Sequence, residues 1–159
     1  MSADVAVAGE TFGAVIRVDD LPELPADPSS PSGHQWFVLF RVGGHKFFID
    51  ARSTTTGTSF YLYEEESFPG LGRPVGGLTG VIDKSKNEIR MWGAVALLGS
   101  GRDVARGARI HELEAISARF VGAAAGGSRD VPAQPVHADF ATSTQPYVIG
   151  TPSCLTVGR

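Results

Sequence analysis

Apolar and polar residues alternate with a period of two along most of this chain, most clearly in HQWFVLFRVGGHKFFIDA at residues 34–51. Gly43-Gly44 supplies two adjacent positions that tolerate positive φ, as a tight hairpin turn requires. With that turn in place, Val42 faces His45, Phe40 faces Phe47, Val38 faces Ile49 and Trp36 faces Ala51, and Leu39 faces Phe48 on the reverse side. One face of the hairpin is then a continuous apolar ladder. The other begins apolar and ends with Arg41 opposite Lys46, which predicts partial burial.

The same alternation predicts strands elsewhere. Residues 10–21, ETFGAVIRVDDL, set Phe12, Ala14, Ile16 and Val18 on one face. The proline-rich PELPADPSSPSG at 22–33 reads as a surface loop. In SFYLYEE (59–65), Phe60 and Leu62 oppose Tyr61 and Tyr63. After a second loop at 66–77, GLTGVIDKSKNEIRMW (77–92) reads as a hairpin with its tip at Asp83 to Asn87. A three-residue connection there would put Val81, Ile89 and Met91 on the core face and Glu88, Arg90 and Trp92 opposite. AVALLGSG (94–101) suits one helical turn over the end of the sheets. For ARIHELEAISARFV (108–121) helix formers compete with alternation, and the all-β context favours a strand. The Gly-, Ala- and Pro-rich stretch 122–145 reads mainly as loop, and PYVIG (146–150) as a short closing strand.

These elements predict an all-β protein, an antiparallel β-sandwich of jelly-roll-like form. It occupies residues 10–154 as one domain, between an N-terminal extension (1–9) and a C-terminal tail (155–159). At 159 residues, with 42 % hydrophobic content, the chain can close one core. A net charge of -3 with scattered arginines argues against nucleic acid as a partner. No apolar run approaches the roughly 20 residues of a membrane-spanning helix. MSADVAVAGETFG lacks a positive start followed by an apolar stretch, so either the protein is cytoplasmic or a leader lies outside this sequence. The lone Cys154 cannot form an internal disulfide.

Candidate chemistry is sparse. The sequence contains no GxSxG, HExxH, Walker or CxxC motif, and GSGRDVARG (99–107) carries Val104 where a dinucleotide loop needs its third glycine. His34, His45, His111 and His137 are dispersed, without metal-ligand spacing. Asp50, Glu64, Asp83 and Asp139 fall near strand ends, where oxygen ligands could meet around a structural Ca²⁺; no cofactor is required. Tyr61, Tyr63, Arg90 and Trp92 are the candidate ligand-binding residues, since rings exposed on a sheet stack on sugar or ligand faces. The competing role for those rings is core packing.

Taken in order, the segments VLFRVGGHKFFIDA (38–51), GGLTGVIDKSKNEIRMW (76–92), AVALLG (94–99), ISARF (116–120) and ADFATSTQPYVIGTPSC (138–154) carry a family likeness. The chain resembles the C-terminal β-sandwich accessory modules of secreted high-GC bacterial proteins, often found beside subtilisin-like proteases. These are similar to family 9 carbohydrate-binding modules and DOMON-type domains. The resemblance implies a secreted, non-catalytic module that binds a glycan or a protein partner in a larger assembly. It would also account for an unpaired Cys154 in YVIGTPSC. Two other readings stay open: a small β-barrel enzyme of the cyclase kind, with an apolar pocket, and a self-assembling surface or shell subunit joined through edge strands.

Overall fold

The computed structural model describes residues 1–22, 33–65, 72–99, 108–121, 134–143, 147–149 and 155–157. Among them the fold is two antiparallel sheets and two short 3₁₀ turns, without an α-helix. The strands are β1 (Ser2–Ala8), β2 (Thr11–Arg17), β3 (His34–Val42), β4 (His45–Thr54), β5 (Gly57–Glu65), β6 (Gly72–Gly77), β7 (Thr79–Asp83), β8 (Glu88–Ala94), β9 (Arg109–Val121), β10 (Gln134–Ser143), β11 (Tyr147–Val148) and β12 (Leu155–Val157). The smaller sheet has the order β12-β1-β2-β8-β7. The larger has the order β10-β9-β3-β4-β5-β6, with β11 also paired to β9. The expected antiparallel sandwich forms; because β3 to β6 run as a meander within one sheet, the likeness to a jelly roll stops at the two layers.

The β3–β4 hairpin has the register expected from its turn, from His34 opposite Ser53 to Val42 opposite His45. Gly43 and Gly44 have φ of 57° and 79°, the pairing of positive angles that matches a two-residue turn to the twist of its strands. Trp36, Val38, Phe40, Phe47, Ile49 and Ala51 therefore point inward, where they join Phe12, Ala14, Ile16, Ile89 and Met91 of the smaller sheet in one buried cluster. The 3₁₀ turn Val95–Leu98 closes one end of the sandwich, with Leu98 buried. Tyr147 ties β11 to β1: its hydroxyl donates to the Val7 carbonyl and accepts from the Val7 N–H, each at 3.3 Å.

Several expectations need correction. Residues 2–8 are no extension: β1 pairs with β2 along its whole length and buries Ala3, Val5 and Val7. Residues 155–157 likewise form β12, paired to β1. The β7–β8 connection has four residues, because Asp83 pairs with Glu88 and Asn87 takes a left-handed conformation at φ 53°. That one-residue difference reverses β7, so Val81 lies opposite Arg90, 41 % exposed, and Ile82 takes the inward side. Within 108–121, Arg109–Val121 is indeed a strand, interrupted by a bulge at Glu112 (φ 54°). The stretch 122–145 contains the ten-residue β10, whose Pro135 is tolerated because β10 is an edge strand. β6 and β7 follow each other through Leu78, whose N–H donates to the Phe60 carbonyl at 2.9 Å, and so carry the chain from the larger sheet to the smaller.

The positive φ at the β3–β4 turn predicts that Gly43→Val lowers unfolding free energy by ~1–2 kcal/mol, the cost of forcing a side chain into the left-handed region. Gly43→Asn should cost much less. Urea denaturation of the two variants against the parent checks this.

Candidate functional site

The period-two alternation that fills the core also decorates the outer face of the larger sheet. Three cross-strand rows lie there: Gln35, Arg52 and Ser59; Phe37, Asp50 and Tyr61; and Leu39, Phe48 and Tyr63. Ile116 of β9 extends the middle row beyond Phe37. An outer face is usually polar, but here Phe37, Leu39, Phe48, Tyr63 and Ile116 form an apolar floor, bordered by Gln35, Asp50, Arg52 and Glu65. Together they line a groove of about 510 Å³. Phe48 and Tyr63 stack with centroids 4.8 Å apart and planes 9° from parallel, Phe37 meets Phe48 edge-on at 6.2 Å, and Tyr61 tilts against Tyr63.

Asp50 is the anomaly of this face. It stands among the outward-pointing residues of β4 yet is only 2 % exposed. Arg52 Nη2 donates to its Oδ2 at 2.9 Å, whereas Oδ1 is enclosed without a hydrogen-bond partner among the described residues. With its carbonyl oxygen turned toward Arg52, the Gln35 amide accepts from Nε at 2.8 Å and from Nη2 at 3.2 Å, holding the guanidinium over the carboxylate. Burial pushes the Asp50 carboxyl above the ordinary aspartate range, against the pull of Arg52. Burial also raises the Tyr63 hydroxyl, with a contribution from the nearby Asp50 charge.

The structure splits the residues expected to bind ligand. Tyr61 and Tyr63 share the groove face, Tyr61 being 43 % exposed. Arg90 and Trp92 lie on the outer face of the other sheet, where Trp92 is 41 % exposed above Gly13 and Arg90 donates to Asp83 at 3.1 Å. The four acids considered for calcium are not brought together. Asp50 is held by Arg52. Glu64 accepts from Arg73 at 2.6 Å and lies 2.9 Å from His45 Nδ1. Asp83 sits at the β7–β8 tip, accepting from Ser85 and Arg90, and the hydroxyl of Ser85 is the first cause of its lowered pKa. Asp139 lies in β10 opposite Ser117, with its side chain outside the described residues. Among the described residues no three His, Cys, Asp or Glu side chains group to hold a metal. Cys154 and residues 100–107 lie outside the described residues.

The chain matches no family model, no curated protein and no solved structure at a significant level. Its site is therefore read from its own geometry. Sequence reasoning missed Gln35, Phe37, Leu39, Phe48, Arg52, Glu65 and Ile116 as site residues, and treated Asp50 only as a metal ligand. The signal was available in the hairpin register, which already placed Leu39 and Phe48 together on the reverse face.

The sign of the Asp50 shift has a consequence for stability. A carboxyl that binds its proton more tightly in the folded than in the unfolded chain makes stability fall as pH rises between the two pKa values. The penalty is absent below the unfolded value of about 3.9 and complete above the raised folded value. Asp50→Asn should therefore be more stable than the parent at pH 7, and this advantage should shrink as the pH falls toward 4. Urea unfolding of both proteins across that range measures it; a variant less stable at pH 7 and equal at low pH would mean that the ion pair outweighs the desolvation.

Proposed function

We propose that this protein is a non-catalytic binding module of the carbohydrate-binding kind, acting as an accessory part of a secreted assembly, and that its ligand lies along the outer face of the larger sheet. The observation that carries the reading is an apolar, aromatic floor with an enclosed, half-satisfied carboxylate set into it. A sugar ring has the matching character, with a C–H face that packs on aromatic rings and an edge of hydroxyls that donate and accept hydrogen bonds. Phe48, Tyr63 and Phe37 offer the first kind of contact. Arg52, Gln35 and Tyr61 offer the second, with the enclosed Asp50 carboxylate and the Gln35 carbonyl holding the Arg52 guanidinium in place. The secreted setting is supported by the sequence resemblance alone. The cyclase-like reading has less support, since the space between the sheets is occupied by Trp36, Phe12, Phe40 and Phe47, all fully buried.

A glycan array followed by calorimetric titration of the best oligosaccharide tests the proposal. Tyr63→Ala and Phe48→Ala should each weaken binding about tenfold or more, equivalent to about 1.4 kcal/mol, with thermal unfolding tracked to exclude loss of fold. Trp92→Ala, on the opposite sheet, should bind as the parent does. An empty array, or a Tyr63→Ala protein with undiminished affinity, would overturn the reading.

A further inference from the structure

Among the described residues the sandwich has four sheet edges, and they are not alike. β6 carries Pro74, and its pairing with β5 is interrupted by a register shift between Leu62 and Tyr63. β10 carries Pro135 and a register shift beside it. β12 is only three residues long. Prolines, bulges and shortness are the usual devices that stop an edge from recruiting another strand. β7 has none of them. Its five residues, TGVID, pair with β8 without a shift, contain no proline and bear no charge before the terminal Asp83. Val81 and Trp92, two of the three exposed large hydrophobic residues among those described, lie on the outer face at or next to this edge.

We propose that two copies of this chain pair through β7, antiparallel, with Val81 opposite its own counterpart, so that the two smaller sheets become one continuous sheet across a twofold axis. The sequence of the edge is compatible with itself in this register. Val81 gains an apolar neighbour on the outer face, and Thr79 faces Asp83 of the second copy. On the inner side Gly80 faces Ile82 of the second copy. Gly80 has no room for a side chain of its own, since a Cβ there would come within 2.5 Å of the Phe60 ring, so the facing Ile82 meets that aromatic edge. Charge supports a second copy over an unrelated strand. The pairing carries the basic turn Lys84–Lys86 of one molecule past Thr79 of the other, toward a groove lined by Glu10, Thr11, Gly77, Thr79 and Trp92. Glu10 is the acidic group of that groove. The contact rests on one pair of five-residue strands, so the dimer is weak and depends on concentration. It involves the sheet opposite the proposed ligand groove and does not rest on that reading.

Sedimentation equilibrium of the full chain over a wide concentration range tests the proposal. The parent should shift from one-chain to two-chain mass as concentration rises, and Val81→Lys should remain a monomer at every concentration with unchanged thermal unfolding. Residues directly opposed across antiparallel strands have Cα atoms about 4.5–5.5 Å apart, within reach of a disulfide. In a Cys154→Ser background, Val81→Cys should therefore give disulfide-linked dimers on mild oxidation, and Thr58→Cys, exposed but away from the edge, should not. A parent that stays monomeric, a dimer that survives Val81→Lys, or a Val81→Cys protein that links no better than Thr58→Cys would overturn it.

Discussion

The structure depends on the register of one strand pair. Side chains in a β-strand alternate between faces with a period of two, so a slip of one residue in β3 against β4 would exchange core and surface along the whole hairpin. Gly43 and Gly44 hold the register by accepting positive φ at both turn positions. In the register they impose, Trp36, Val38, Phe40, Phe47 and Ile49 fill the space between the sheets. Phe37, Leu39, Phe48 and Asp50 are left on the other side. The core and the candidate site are two faces of the same constraint.

The outer face is unusual in what it leaves unsatisfied. Surface ion pairs elsewhere, such as Arg17 with Asp4 and Glu88, are exposed to solvent and contribute little to stability. Asp50 is different: it has lost nearly all its water, and it has one oxygen held by Arg52 and one without a partner among the described residues. A half-satisfied buried carboxylate disfavours the folded state. Its one satisfied oxygen anchors Arg52 at the border of the aromatic floor.

Much of the fold was legible in the sequence, and the departures have physical causes. The β2, β3, β4 and β5 strands show apolar alternation strong enough to survive any choice of turn, whereas in β9 helix formers compete with it and the all-β context decides. β7 failed because its facing depends on the length of the Lys84–Asn87 connection, and the left-handed Asn87 that makes it four residues long has no obligatory glycine to announce it. β1 and β10 were overlooked because Ala and Val in β1, and Pro, Ala and His in β10, give weak local patterning; their pairing partners decide their state. Most of the site was similarly hidden. Tyr61 and Tyr63 stand out as exposed rings, whereas Gln35, Arg52 and Ile116 join them only through pairing across strands, which a linear pattern does not display. Arg90 and Trp92 share a side of their own hairpin, but nothing in the spacing says that this hairpin belongs to the opposite sheet.

The most direct test of this account is the pattern of cross-strand nuclear Overhauser effects among the backbone protons of β3, β4 and β5. Contacts should link the opposed pairs Phe37 with Asp50, Asp50 with Tyr61, and Phe48 with Tyr63. A pattern linking Phe37 with Ile49 or Phe47 with Tyr63 would shift the register by one residue, turn the groove inward, and contradict both the core and the site described for this protein.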